Sequence, residues 1–206
     1  MVALVVKNFL QKVLVVGPIY DKIEAVQSQQ KILNEQDLII FNGNLCYPNN
    51  NLEEVEARIK IMEKFIQTGK VIYNLGNQDL LLMKQLDENN QNYRIVNWLK
   101  TKSNVVMVDL LAQSGLIITN GGVTPEMKRS DLDDDLETSF VSNIKNEPWH
   151  RWYGGGYGYI ISNNPLTRES PKFYNFSMQI GNIYDEKNQT YAVQIGQYGV
   201  ERIFSL

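Results

Sequence analysis

The chain of 206 residues has a single cysteine, Cys46, and a single histidine, His150. One cysteine excludes an internal disulfide and a cysteine zinc cluster, and it fits a reducing compartment. One histidine excludes an imidazole-rich zinc, iron or manganese centre, because metals that activate water recruit several neutral imidazoles. Any metal would have to rest on oxygen ligands. Basic runs are also absent, and the formal net charge is −3. Without a positive patch to meet phosphate backbones or anionic lipid, neither nucleic acid nor a membrane surface is predicted as the partner. The apolar stretches, such as 13–17 and 38–41, are strand-sized and too short to span a bilayer. The opening MVALVVKNFLQK has no basic region ahead of its apolar residues and no evident cleavage site, which predicts no signal peptide. No internal repeat and no linker rich in Pro, Gly or Ser interrupts the chain.

What is present is ordinary for a globular protein: 43% apolar and 21% charged residues. The length suffices for one large domain with a real core. The expectation is a single soluble, cytoplasmic domain over residues 1–206. Its first half alternates strand and helix. KVLVVG (12–17), DLIIFNG (37–43) and KVIYNLG (70–76) read as buried strands, with helical spacing over 21–33, 52–68 and 79–86. In 52–68, Leu52, Val55, Ile59, Met62 and Ile66 form an i, i+3, i+4 stripe that Gly69 ends. Strands at 105–109 and 116–122 follow. Alternation of this kind predicts right-handed crossovers and a partly parallel sheet covered by helices. Beyond residue 150, YGYIIS, KFYNFSMQIG, TYAVQIG and GVERIFSL are short, β-branched and aromatic, and they predict antiparallel strands and hairpins.

Five strand ends carry small or amide residues: Gly17-Pro18-Ile19-Tyr20, Asn42-Gly43-Asn44, Gly76-Asn77-Gln78-Asp79, Asn120-Gly121-Gly122 and Ser162-Asn163-Asn164-Pro165. Ligands of open α/β sheets bind at the carboxyl ends of strands, so these ends are predicted to share one polar rim. Their order carries a resemblance. "VLVVGPIYD", "DLIIFNGNLCYPNN", "VIYNLGNQD", "LIITNGGVTPE" and "YIISNNP" follow the strand-end motifs GDxHG, GDxVDRG, GNHE/D, H-G/A-G and GHT-P. From about Lys12 onward the chain thus resembles the calcineurin-like metallophosphoesterases, most closely the small bacterial and phage-type Ser/Thr protein phosphatases. The resemblance implies an α/β sandwich of two mixed β-sheets flanked by helices. It also implies two Mn, Fe or Zn ions that activate water and grip phosphate oxygens.

The metal ligands do not carry over. Pro18 stands at the first aspartate of the pattern and Tyr20 at its first histidine. Asn44 replaces the bridging aspartate, Pro48 falls near the second aspartate, and the phosphate-gripping arginine has no counterpart there. Asn77 keeps a family ligand. Gln78 replaces the histidine that acts on the leaving group, which leaves Asp79, the orienting carboxylate, without its partner. Asn120 and Asn163 replace the two later histidines. Two metals about 3.5–4 Å apart need anionic ligands between them, and without metal a water keeps a pKa near 15.7 instead of about 7. The predicted protein is therefore a metal-free, catalytically inactive relative with no cofactor, acting by binding a protein partner or a phosphorylated ligand. The rival is an active phosphoesterase with unusual oxygen ligands, and a third reading is a purely structural subunit. Because the replacements are amides, with both donors and acceptors, they are predicted to pair with each other and with water as a neutral hydrogen-bonded plug, the alternative being a retained pocket for a polar ligand.

Three other stretches have simpler readings. SDLDDDLETSF (130–140) alternates carboxylates like a calcium loop but has Leu136 and Ser142 where glycine and glutamate belong, so Ser130 reads as a helix N-cap. WHRWYGGGYGY (149–159) lacks the lysine of a P-loop; its aromatics read as packing or, as the alternative, as a candidate partner surface of Trp149, His150, Arg151 and Trp152. Cys46 has no base placed to activate it.

Overall fold

Three parallel strands with helical crossovers organise the protein. The computed structural model describes residues 4–20, 22–47, 49–110, 115–120, 158–161, 191–196 and 199–205. In chain order the elements are β1 (Leu4–Leu10), β2 (Lys12–Val16), α1 (Ile23–Ser28), α2 (Gln30–Asn34), β3 (Leu38–Asn42), α3 (Leu52–Ile66) and β4 (Val71–Asn74). Then come α4 (Asn77–Glu88), α5 (Tyr93–Lys100), β5 (Val105–Leu110), β6 (Gly115–Thr119), β7 (Gly158–Ile161), β8 (Tyr191–Gly196) and β9 (Gly199–Ser205). The strands form two mixed sheets, ordered β1-β5-β6-β7 and β4-β3-β2-β8-β9. In the second sheet β2, β3 and β4 are parallel while β8 and β9 add antiparallel.

Strands buried on both faces read as continuous apolar runs, and the period of two decides which core each side chain enters. Leu14, Val16, Ile39 and Phe41 face the helices, packing with Ile23, Ile59, Met62, Leu82 and Leu99. Val13, Val15, Leu38 and Ile40 face the other sheet, meeting Val106, Val108, Leu116 and Ile118. α3 follows its stripe through Val55, Ile59, Met62 and Phe65, and it starts where Asn51 Oδ1 accepts from Glu53 N at 3.0 Å. It ends before Gly69, whose φ of 75° is left-handed.

Four differences from the sequence reading have physical causes. The helix over 21–33 breaks at Gln29, where ψ is 35° and the backbone N–H turns back to Val26 O. α4 begins two residues early because Asn77 and Gln78 find acceptors on other loops. β1 and α5 had no counterpart in the reading: β1 is a sheet edge whose partner, β5, lies about a hundred residues away. α5 is short, and its N-cap, Asn92, sits at φ 41°. β7 pairs parallel with β6, not antiparallel, whereas β8 and β9 form the expected hairpin. The strand read at 172–181 lies outside the described residues. No helix among the described residues is long and apolar enough to cross a membrane.

Candidate functional site

The parallel arrangement of β2, β3 and β4 brings their carboxyl ends to one edge of the sheet. After β3 the backbone turns through Gly43 at φ 77° and Asn44 at φ 60°. It passes so close to the turn after β4 that a Cβ on Gly43 would lie 2.4 Å from Gly76 N. A Cβ on Gly76 would lie 2.0 Å from Asn44 Oδ1, so both positions require glycine. The loop after β2 joins them: Tyr20, itself left-handed at φ 45°, donates its N–H to Asn44 O at 2.9 Å. Left-handed non-glycine residues cost roughly 1–3 kcal/mol each and persist only where surrounding contacts hold them.

Asp79 supplies much of that hold. It lies in the first turn of α4 and is fully buried. Its Oδ2 accepts from Asn44 N at 2.8 Å, Gly76 N at 2.9 Å and the Tyr73 hydroxyl at 2.5 Å. Its Oδ1 accepts from Leu45 N at 3.0 Å, Cys46 N at 3.3 Å and Cys46 Sγ at 3.2 Å. Burial pushes the carboxyl up from the ordinary carboxylate range, and the bonds from Tyr73, Gly76, Cys46 and Asn44 pull it partly back. Burial and then the Asp79 charge push both the Tyr73 phenol and the Cys46 thiol up. Both therefore stay protonated at neutral pH and serve as donors. The thiol is buried, so Cys46 is no nucleophile.

Above this carboxylate sits a tier of amides. Asn44 Oδ1 accepts from Gln78 N at 3.1 Å, and its Nδ2 donates to the Tyr20 hydroxyl at 3.3 Å. The Tyr20 ring stacks on Tyr47 with centroids 4.1 Å apart and planes 4° apart. Asn120 Oδ1 accepts from Asn77 N at 3.1 Å, and Asn120 Nδ2 donates to Asn42 O at 2.9 Å. Asn42 Nδ2 donates to Thr119 O at 2.8 Å, and Asn74 Nδ2 donates to Asn42 Oδ1 at 2.9 Å. These bonds tie the ends of β3 and β4 to the end of β6, and so one sheet to the other. From α3, Arg58 Nη1 reaches the loop after β3, donating to Asn50 Oδ1 at 3.1 Å and Leu45 O at 3.4 Å.

Tyr20, Asn44, Gln78, Asp79, Asn77 and Asn120 therefore meet at one edge, Asn77 and Gln78 through their backbone N–H groups. Pro18 lies buried in the same loop as Tyr20. Asn163, Pro48 and the candidate partner surface Trp149–Trp152 lie outside the described residues. Two expectations need correction. Asn44 and Asn120 bond chiefly to backbone rather than to other amides, because the N-terminal N–H groups of α4 need acceptors. Asp79 is not left without a partner; backbone N–H groups, a phenol and a thiol take that place. The sequence reading also missed Tyr73 and Asn74, and it placed Asn42 at the rim only as part of its strand end. A polar residue closing each of the apolar strands LIIFN and VIYN was the available signal.

No family model and no curated protein sequence matches the chain. Solved structures do, and the likeness is one of fold: the chain has the mixed α/β fold of calcineurin-like metallophosphoesterase structures. One similar structure is the crystal structure of a candidate diadenosine tetraphosphatase, with a TM-score of 0.67 and 12% identity over 100% of this chain and 97% of that chain. Another is a protein serine/threonine phosphatase from Saccharomyces cerevisiae with similarity to human phosphatase PP5; its TM-score is 0.63, with 14% identity over 99% of this chain and 83% of that chain. At these identities the likeness establishes the fold.

Metal ions are what such a fold ordinarily carries, and the described donors do not fit them. Among the described residues no group of three or more His, Cys, Asp and Glu side chains comes together. Both Asp79 oxygens face internal donors. Asn44 Oδ1 is likewise engaged, and an amide brings a dipole without the negative charge that a metal pair requires.

Proposed function

We infer that this chain is a pseudophosphatase: a metallophosphatase-fold protein without phosphoester hydrolysis that acts by binding a protein partner or a phosphorylated ligand. The carrying observation is the state of Asp79, a fully buried carboxylate whose two oxygens are spent on Asn44, Leu45, Cys46, Tyr73 and Gly76. It serves as an internal clamp and has no lone pair directed at a substrate. Amide oxygens of Asn120 and Asn44 sit on the α4 N–H groups beside it, and Gln78 stands in the sequence where the resembling family has the histidine that acts on the leaving group. Losing such an acid costs about 10²–10⁴-fold in rate, and losing a metal-activated water costs more. The proposed partner surface is the aromatic and cationic stretch Trp149, His150, Arg151 and Trp152, and the proposed compartment is the cytoplasm.

The alternative is an active phosphoesterase with unusual oxygen ligands, which draws support from the phosphatase names of both similar structures. Metal content and turnover separate the two. The full chain, purified without chelators and titrated with manganese, is expected to hold no stoichiometric metal and to leave an aryl phosphate unhydrolysed above buffer. Two bound metals per chain, with turnover that tracks loading and is lost to a chelator, would establish the active reading instead.

A further inference from the structure

At the other end of the five-stranded sheet, away from the converging loops, a cavity of about 340 Å³ opens between α2, the end of α3 and the first residues of β3 and β4. Its floor is apolar: Leu33, Ile39, Phe65 and Val71 come from those four elements and are buried. Its rim carries Lys64 and Lys70, and the rest of its polar lining is amide or hydroxyl, with no carboxylate. In a chain of net charge −3, this is a locally positive mouth over an apolar floor.

The usual task of lysines beside a helix C-terminus is to neutralise its last carbonyls. Here that is done by others. Gln67 N donates to Glu63 O at 2.9 Å, Gly69 N to Ile66 O at 3.0 Å and Thr68 Oγ1 to Phe65 O at 2.7 Å. Lys64 enters no ion pair among the described residues. Lys70 Nζ donates to one neutral acceptor, Gln36 O at 3.3 Å, which leaves its charge uncompensated and two of its three N–H donors to spare. The volume lies at the small end of the roughly 300–1,000 Å³ typical of small-molecule sites, too small for a folded partner.

We propose that this groove binds a small amphipathic anion, its apolar body of roughly 6–10 carbons on the floor and its single carboxylate or phosphate at the lysine rim. The site is independent of the converging loops, so it does not rest on the pseudophosphatase reading.

The test is a titration of the full-length, methyl-labelled protein with octanoate and with octyl phosphate, followed by NMR. Shifts are expected at the methyls of Leu33, Ile39, Ile61 and Val71, with a Kd on the order of 0.1–1 mM for a ligand of this size. Acetate, inorganic phosphate and octylammonium at equal concentration should leave those methyls in place. The tighter of the two anions identifies the head group. K64E/K70E should bind octanoate at least tenfold more weakly and accept octylammonium instead; both side chains are exposed, and an unchanged thermal midpoint would show the fold intact. Three results would overturn the proposal: no shift at those methyls by 10 mM of either anion, equal shifts with octylammonium, or undiminished octanoate binding by the double variant.

Discussion

Replacing Asp79 by asparagine keeps the shape of the side chain and removes its charge. The new amide must turn its Nδ2 towards one of the two donor sets. Facing the Oδ2 set it would abandon both Asn44 N and Gly76 N. Facing the Oδ1 set is less costly, because Leu45 N retains the Tyr73 hydroxyl at 2.9 Å and the thiol can rotate to accept. Only Cys46 N is then orphaned, at about 1–3 kcal/mol for a buried donor. The bonds kept on Oδ2 fall from charge-assisted to neutral strength, roughly halving each. Relief from burying a charge offsets part of the loss, so a net destabilisation of about 3 kcal/mol is expected. In urea, with m near 3 kcal/mol/M, the midpoint should move down by about 1 M. A loss below about 1 kcal/mol would refute the view of Asp79 as the clamp of these loops.

The same pair of proteins has a pH signature. Because burial holds the folded Asp79 pKa above its ordinary 3.8, the native state binds the proton more tightly than the unfolded chain. Its contribution is then fully present below pH 3.8 and is lost as pH rises through the folded pKa. The stability advantage of wild type over Asp79→Asn should therefore shrink as pH rises through that window and stay level above it. An advantage that grows with pH would mean that the six hydrogen bonds outweigh desolvation.

Gly43→Ala should lose about 3 kcal/mol or more by thermal unfolding, combining a left-handed φ with a Cβ 2.4 Å from Gly76 N. A near-neutral result would mean that the two turns are not in contact. Asn120→Ala should lose about 1–3 kcal/mol, since Asn77 N loses its acceptor and Asn42 O loses the bond from Asn120 Nδ2. Amide exchange at Asn77 should accelerate with it, and an unchanged rate would sink the assignment. Cys46 should react with a thiol reagent in native protein only as fast as the structure opens, because burial and the Asp79 charge hold the thiol protonated; labelling at the rate of a free peptide thiol would show that the loop after β3 is open.

Much of the architecture was legible because it follows from local period. LIIFN and VIYN are apolar on both faces, and a strand of that kind must be covered on both sides. The α3 stripe and its cap are likewise written within one helix. Less local features escaped. Nothing in LVVKNFL marks it as an edge strand, since its pairing with β5 is a matter of distant register. The strand-end motifs put Tyr20, Asn44, Asn77 and Asn120 in the right order along the chain. Which atoms they would turn towards each other had no trace in that order.

The sequence by itself determined the alternation of strands and helices, the amide and proline identities at the strand ends, and the shortage of imidazole and thiol ligands. Each of these is a property of a residue or of its near neighbours. Only the tertiary structure decided what Asp79 does. Its clamp joins Tyr73, Gly76 and the backbone of Asn44, Leu45 and Cys46, and backbone N–H groups are the same in every sequence. Their recruitment depends on how two glycine turns pass within van der Waals reach, a distance set by the packing of β3 against β4 and by no residue alone.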